Sequence, residues 1–179
     1  MTTRTIDPVT TLTIDPVITR TIDPVTTPTT SFGRDYLQDR IVGEFMLARH
    51  IGIVVESADD TAVVLRAPLA PNANYKGTAF GGSLYSVAVL TGWAWVTRYL
   101  AAQDLSADAV IQESNVRFLA PVLGELRASA AAPSDAQIEK FRKMLQRAGR
   151  GRIRLRVEII YDQALAALFE GVFAAALRQ

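Results

Sequence analysis

APLAPNANYKGTAFGGSLYSVAVLTGWAWVTR, residues 67–98, is the stretch that decides how this chain folds. Its opening, Ala67-Pro68-Leu69-Ala70-Pro71, stops a strand, because each proline lacks an N–H and restricts the residue before it. Asn72-Ala73-Asn74-Tyr75-Lys76-Gly77-Thr78 is a polar loop whose amide side chains donate and accept. Gly81-Gly82-Ser83 then opens a run from Leu84 to Val96 that is apolar on every side. A helix apolar all round must be buried. Its first turn carries unpaired N–H groups and the positive end of the helix dipole. Glycines there let an anion or a polarised carbonyl approach the backbone. The mouth of this helix is therefore a candidate oxyanion site.

The same residues carry a resemblance. Asn72-x-Asn74-x-x-Gly77-Thr78-x-Phe80-Gly81-Gly82-Ser83 resembles the loop and helix start of hot-dog-fold thioesterases of the YiiD C-terminal type, and the likeness runs from about Tyr36 to the C-terminus. It implies an α+β hot-dog domain, in which a curled antiparallel sheet wraps around a central buried helix. It also implies a homo-oligomer, dimer or tetramer, with sites at the shared interface. The substrates implied are acyl thioesters of coenzyme A or acyl carrier protein. No cofactor is expected beyond the coenzyme A or phosphopantetheine that the substrate carries.

Composition narrows the field. With 179 residues and 49% hydrophobic content, one good core and a single domain are the default. A formal charge of +1 argues against a general nucleic-acid binder. The absence of cysteine excludes thiol nucleophiles and cysteine-ligated metals. A single histidine, His50, excludes a multi-histidine zinc site, and no metal is expected. No secretory signal is visible, and the apolar run at 84–96 is shorter than the ~20 residues a membrane span needs. A cytoplasmic protein without membrane attachment is the expectation.

Along the chain, Thr5-Ile-Asp-Pro-Val9, Thr13-Ile-Asp-Pro-Val17 and Thr21-Ile-Asp-Pro-Val25 repeat with a period of eight. Such sparse apolar residues cannot build a core, so residues 1–33 read as a disordered tail and 34–179 as the domain. Residues 35–50 have Leu37, Ile41, Val42, Phe45 and Met46 in helical spacing, which predicts one amphipathic helix ending at His50. His50 is read as a cap on the last carbonyls, with a His50–Ser83 catalytic pair as the sharper alternative. Strands are predicted at 51–57, 61–67, 109–119, 125–131 and 152–160. In the third of these, strict alternation puts Gln112, Ser114 and Val116 on one face and Glu113, Asn115 and Arg117 on the other. Ser134 or Asp135 caps a helix over 136–148. Residues 164–177 are Ala/Leu-rich, which favours helix by propensity, whereas the resemblance implies a strand; the strand is preferred.

The resemblance also implies roles. The thioester carbonyl points at the N–H groups near Gly81 and Gly82, with Ser83 beside them and Asn72 or Asn74 as a side-chain donor. Tyr75, Gly77, Thr78, Phe80 and Asn115 would line the substrate. In many relatives of this fold, a carboxylate stands about two turns into the central helix, and a histidine often precedes the glycine pair. This chain has no Asp or Glu between Ser83 and Arg98, and Phe80 stands in the histidine's place. Glu113 is the best substitute base, with an ion pair to Arg117 as its bland alternative. Hydrolysis leads among the functions. Decarboxylation of a malonyl thioester, which needs oxyanion donors but no activated water, is the alternative. A non-catalytic thioester-binding protein is the third. The basic run Lys140, Arg142, Lys143, Arg147, Arg150, Arg152, Arg154 is either a solvated face or a landing patch for the carrier's phosphate, centred on Lys143 and Arg147.

Overall fold

The architecture is that of a computed structural model, which describes residues 32–178. The repeats, and so almost all of the expected tail, lie outside the described residues. Phe32 and Gly33, the last residues of the expected tail, precede the first helix, and the Phe32 ring packs edge-on to Tyr36 at 5.2 Å.

The elements run α1 (Arg34–Glu44), α2 (Met46–Ile51), β1 (Val54–Ala58), β2 (Ala62–Ala67), α3 (Gly81–Ala102), β3 (Ala107–Phe118), β4 (Leu126–Ala131), α4 (Asp135–Ala148), β5 (Arg150–Tyr161) and β6 (Ala164–Leu177). The six strands form one antiparallel sheet in the order β1-β2-β4-β5-β6-β3. Helix α3 packs against β2 through β6. From Leu84 to Leu100 almost every residue of it is buried, including Trp93 and Trp95, as its all-round apolar sequence requires. Among the described residues, no helix is long and apolar enough to cross a membrane.

Three expectations change. The single N-terminal helix is two, broken at Phe45, whose backbone is extended (φ −119°, ψ 103°). The break seats the Phe45 ring edge-on against Trp93 at 4.8 Å and turns Ala48 and Ile51 inward, leaving Met46 and Leu47 exposed. Ile51 therefore ends a helix instead of opening a strand, and β1 starts at Val54.

The alternation along β3 also slips. Ile111 pairs with Phe173 and Glu113 with Val172, so Gln112 is an extra residue, a β-bulge. Ala109 and Ile111 face the core before it, and Ser114 and Val116 after it, while Gln112 and Glu113 are both exposed.

Residues 164–177 form a 14-residue strand, as preferred from the resemblance. The two-residue turn before it puts Asp162 and Gln163 at φ 49° and 62°, the hairpin geometry that matches strand twist. Pairing with β5 on one side and β3 on the other then satisfies the backbone, and this outweighs Ala/Leu propensity.

Helix α4 opens on Ser134, whose N–H donates to Gln137 Oε1 at 3.2 Å and whose hydroxyl donates to the same oxygen at 3.0 Å. Its buried Phe141 and Leu145 anchor it beside β5.

Candidate active site at the mouth of the central helix

The loop before α3 is a short hairpin. Ala73 bridges Ala79, Asn74 N–H donates to Thr78 O at 2.7 Å, and Gly77 N–H donates to Asn74 O at 3.0 Å. Gly77 sits at φ 75°, the left-handed position a three-residue hairpin loop requires. The Asn74 side chain holds this turn: Oδ1 accepts from Lys76 N–H at 2.8 Å and Thr78 N–H at 3.3 Å, and Nδ2 donates to Thr78 Oγ1 at 2.9 Å. One Asn74 amide proton has no partner among the described residues. Tyr75, at the tip, is 92% exposed.

Asn72 is different. It is buried, and Nδ2 donates to Ile51 O at 2.8 Å and to Pro68 O at 2.7 Å. Both amide protons are thus committed to tying the loop to α2, and none is left for a substrate. Of the two asparagines, Asn74 alone keeps a donor free.

The hairpin delivers Phe80, the N-cap of α3, which has no side-chain capping bond. The first helical hydrogen bond is Leu84 N–H to Phe80 O at 3.0 Å. The N–H groups of Gly81, Gly82 and Ser83 therefore have no acceptor among the described residues, and the positive end of a 22-residue helix stands behind them. Aromatic rings flank both glycines: a methyl group on Gly81 would lie 3.4 Å from Phe118 Cζ, and one on Gly82 would collide with the Phe80 ring.

Gly81, the first of these donors, lines a cavity of about 390 Å³ together with Ala79, Leu84, Phe118, Leu119, Ala120, Pro121 and Val122. Its walls are hydrocarbon and backbone. Sequence reading did not single out Phe118, Leu119 or Val122; they reach the site because β3 ends at the level where α3 begins.

The profile of one protein family, described as putative thioesterase (yiiD_Cterm), matches residues 34–177. The chain belongs to that family. A protein of unknown function from Chlorobaculum tepidum is similar in structure, with 30% identity, TM-score 0.78, and coverage of 81% of this chain and 94% of that one. A putative thioesterase from Shewanella oneidensis shares 27% identity at TM-score 0.73, covering 81% and 97%. A thioesterase from Haemophilus influenzae, 14% identical at TM-score 0.57 over 80% and 90%, shares the fold. The curled sheet around α3 is thus the hot-dog fold, and a thioesterase-type site is the one to look for.

The other residues expected at such a site lie apart from the α3 mouth within one protomer. Glu113 points outward from β3, five residues or about 17 Å of strand from Phe118. Asn115 and Arg117 share its outward face. The inward neighbour, Ser114, meets α3 instead, its hydroxyl 2.8 Å from that of Tyr85. Lys143 lies 3.3 Å from Glu139, and Arg147 faces the end of β3 marked by Asp108, about 30 Å along the strand from Phe118. His50 is exposed on α2, with no side-chain hydrogen bond among the described residues. No cluster of three or more His, Asp or Glu that could hold a metal occurs among them.

Proposed function

We propose that the chain is an enzyme acting on acyl thioesters of coenzyme A or acyl carrier protein. The observation that carries this reading is the uncapped start of α3: free N–H groups at Gly81, Gly82 and Ser83, the first of which lines a cavity walled by hydrocarbon and backbone. A thioester carbonyl directed at those groups gains charge on oxygen as the reaction proceeds, and preorganised N–H donors stabilise that charge. The acyl chain takes the apolar cavity. The free amide proton of Asn74 is the side-chain donor, offered across a subunit interface, and Tyr75, Gly77, Thr78, Phe80 and Asn115 line the substrate. The place of action is the cytoplasm, where such thioesters are made, and no cofactor is needed beyond the pantetheine the substrate carries.

The site is completed by a second copy. β3 is an open edge of the sheet, and open edges invite pairing. Its outward face reads Glu113, Asn115, Arg117. Antiparallel pairing of two β3 strands about Asn115 places each Glu113 opposite the partner copy's arginine at position 117, so the pattern complements itself. The same pairing brings the α4 end of one protomer, with Lys143 and Arg147, toward the cavity mouth of the other. There they would meet the carrier's phosphate.

A malonyl-thioester decarboxylase is the second reading, favoured by one observation: no carboxylate or imidazole lines the cavity. Hydrolysis needs an activated water. Decarboxylation breaks the bond to the carboxylate and releases carbon dioxide. The electron pair passes into a thioester enolate held by the N–H groups, and a proton is then added at carbon to give the acetyl thioester. An apolar wall beside the malonyl carboxylate favours its loss as a neutral gas.

Product analysis decides between them. The protein is mixed with malonyl and simple acyl thioesters on both carriers. Free thiol from a simple acyl substrate, lost in Glu113→Gln, establishes a hydrolase using that carboxylate. Acetyl thioester and carbon dioxide without free thiol establish the decarboxylase. Unchanged substrate retained in a tight complex makes the protein a binder and refutes both enzymatic readings.

A further inference from the structure

A cavity of about 720 Å³ lies at the opposite end of the sheet from the α3 mouth. Its floor is Val110, Ala174, Ala175 and Ala176, where small side chains leave the sheet uncovered, and Met144 forms one wall. Three guanidinium groups, of Arg147, Arg150 and Arg152, stand on its rim. The one acid in its lining, Asp108, is already held by Arg178, whose Nη2 donates to its Oδ1 at 2.6 Å. None of the three rim arginines has an acidic partner within ion-pair distance among the described residues. A hydrocarbon floor under unpaired cations calls for an occupant that is apolar with interspersed carboxylates.

The chain carries such a segment. Each repeat, Thr-Ile-Asp-Pro-Val, sets one Asp between branched apolar residues and a proline. The described chain begins beside the cavity: Phe32 lines a hollow together with Arg178, and Arg178 in turn grips Asp108 of the cavity lining. Asp23 lies nine residues before Phe32, a reach of about 30 Å when extended.

We propose that the N-terminal Thr-Ile-Asp-Pro-Val repeats dock in this cavity, with Ile and Val on the alanine floor and Asp against Arg147, Arg150 and Arg152. Three copies on one tether raise the local concentration of the motif without any single contact being strong. Proline in every copy limits ladder pairing, so side-chain contacts carry the binding. The inference does not need the acyl-thioester reading, but it shares Arg147 with the carrier-binding part of it, so a bound carrier would compete with the repeats.

The test uses the full chain. Since it lacks cysteine, Thr27→Cys gives a single position for a nitroxide label. Loss of amide NMR signal at Val110, Arg152 and Ala174–Ala176 is expected, restored when Asp7, Asp15 and Asp23 are all replaced by Ala and also at high salt. Signal loss confined to the surroundings of Phe32 and Arg178, which the tether alone produces, or loss at the cavity indifferent to the three Asp→Ala changes, overturns the proposal. So does an Arg150→Glu variant whose oligomer dissociates while tail contacts stay the same, because a second copy then covers the cavity. Folding of each variant is checked by the unchanged spectrum of residues remote from the label.

Discussion

Arg98, buried in the last turns of α3, donates from Nη2 to Oδ1 of Asp60 at 2.7 Å, joining the central helix to the β1–β2 turn. The Arg98 side chain is 6% exposed and that of Asp60 is 85% exposed, and Arg98 Nε has no partner. One charge is buried and the carboxylate it is bonded to is in solvent. Asp60→Ala strands a buried cation and is expected to cost about 1–3 kcal/mol. Arg98→Met removes the cation and keeps the volume, so its cost should be smaller. Urea denaturation of both variants checks the order; a larger loss in Arg98→Met refutes this account.

Gly92 faces Phe173 across the core, and a methyl group added there would lie 2.5 Å from the ring's Cζ. Alanine is the better helix former, so propensity alone predicts that Gly92→Ala stabilises. The buried ring cannot retreat, and overpacking should instead destabilise by about 1–3 kcal/mol. Phe173→Leu added to Gly92→Ala should recover part of the loss. Thermal unfolding gives the sign.

The oxyanion role of α3 can be tested on one backbone donor. Gly81 is the first helical residue, where proline is tolerated, and Phe80 before it is extended (φ −67°, ψ 133°), as a residue preceding proline must be. Gly81→Pro should therefore fold and lack one N–H. Turnover of the thioester substrate is expected to fall about 10²–10³-fold with little change in Tm. Undiminished turnover removes Gly81 from the site.

Asn72→Ala should lower stability by about 1–3 kcal/mol, because the carbonyls of Ile51 and Pro68 lose their donor. Asn74→Ala, in an exposed turn, should cost less and act mainly on turnover. A folded Asn74→Ala protein with full activity excludes that amide as a donor.

The hydrogen bond from Arg142, with Lys143 adding to it, holds the Glu139 carboxyl down to about 2 from its ordinary 4.5. A depressed carboxyl contributes stability above its unfolded pKa and loses it as pH falls through the folded one. The loss here spans pH 4.5 to about 2. Carboxyl NMR titration should show the low value, and replacing both cations with Ala should return it toward 4.5.

Much of the fold was legible in residue order. Leu84 to Val96 has no polar face, so α3 had to be central whatever surrounded it. Arg152 to Ile160 alternates so strictly that β5 had one possible face inward. Gly77 and the two asparagines marked a polar loop leading to α3, although not that the loop is a hairpin. Local chemistry was sufficient in each case, because one residue's neighbours in sequence are also its decisive neighbours in space.

Other features depended on distant partners. Phe45 breaks the first helix because Trp93 offers a seat for its ring, and nothing near Phe45 in sequence announces this. The bulge at Gln112 follows from the register of β3 against β6, and it turns Glu113 away from the core. Asn72 and Asn74 are two amides of one polar loop, and only tertiary contacts show that Ile51 and Pro68 take both protons of the first. Hydrophobic periodicity determined which elements exist and which faces they bury. Long-range hydrogen bonds and ring packing decided which polar atoms remain free, because those partners are far apart in sequence and meet only in the folded chain.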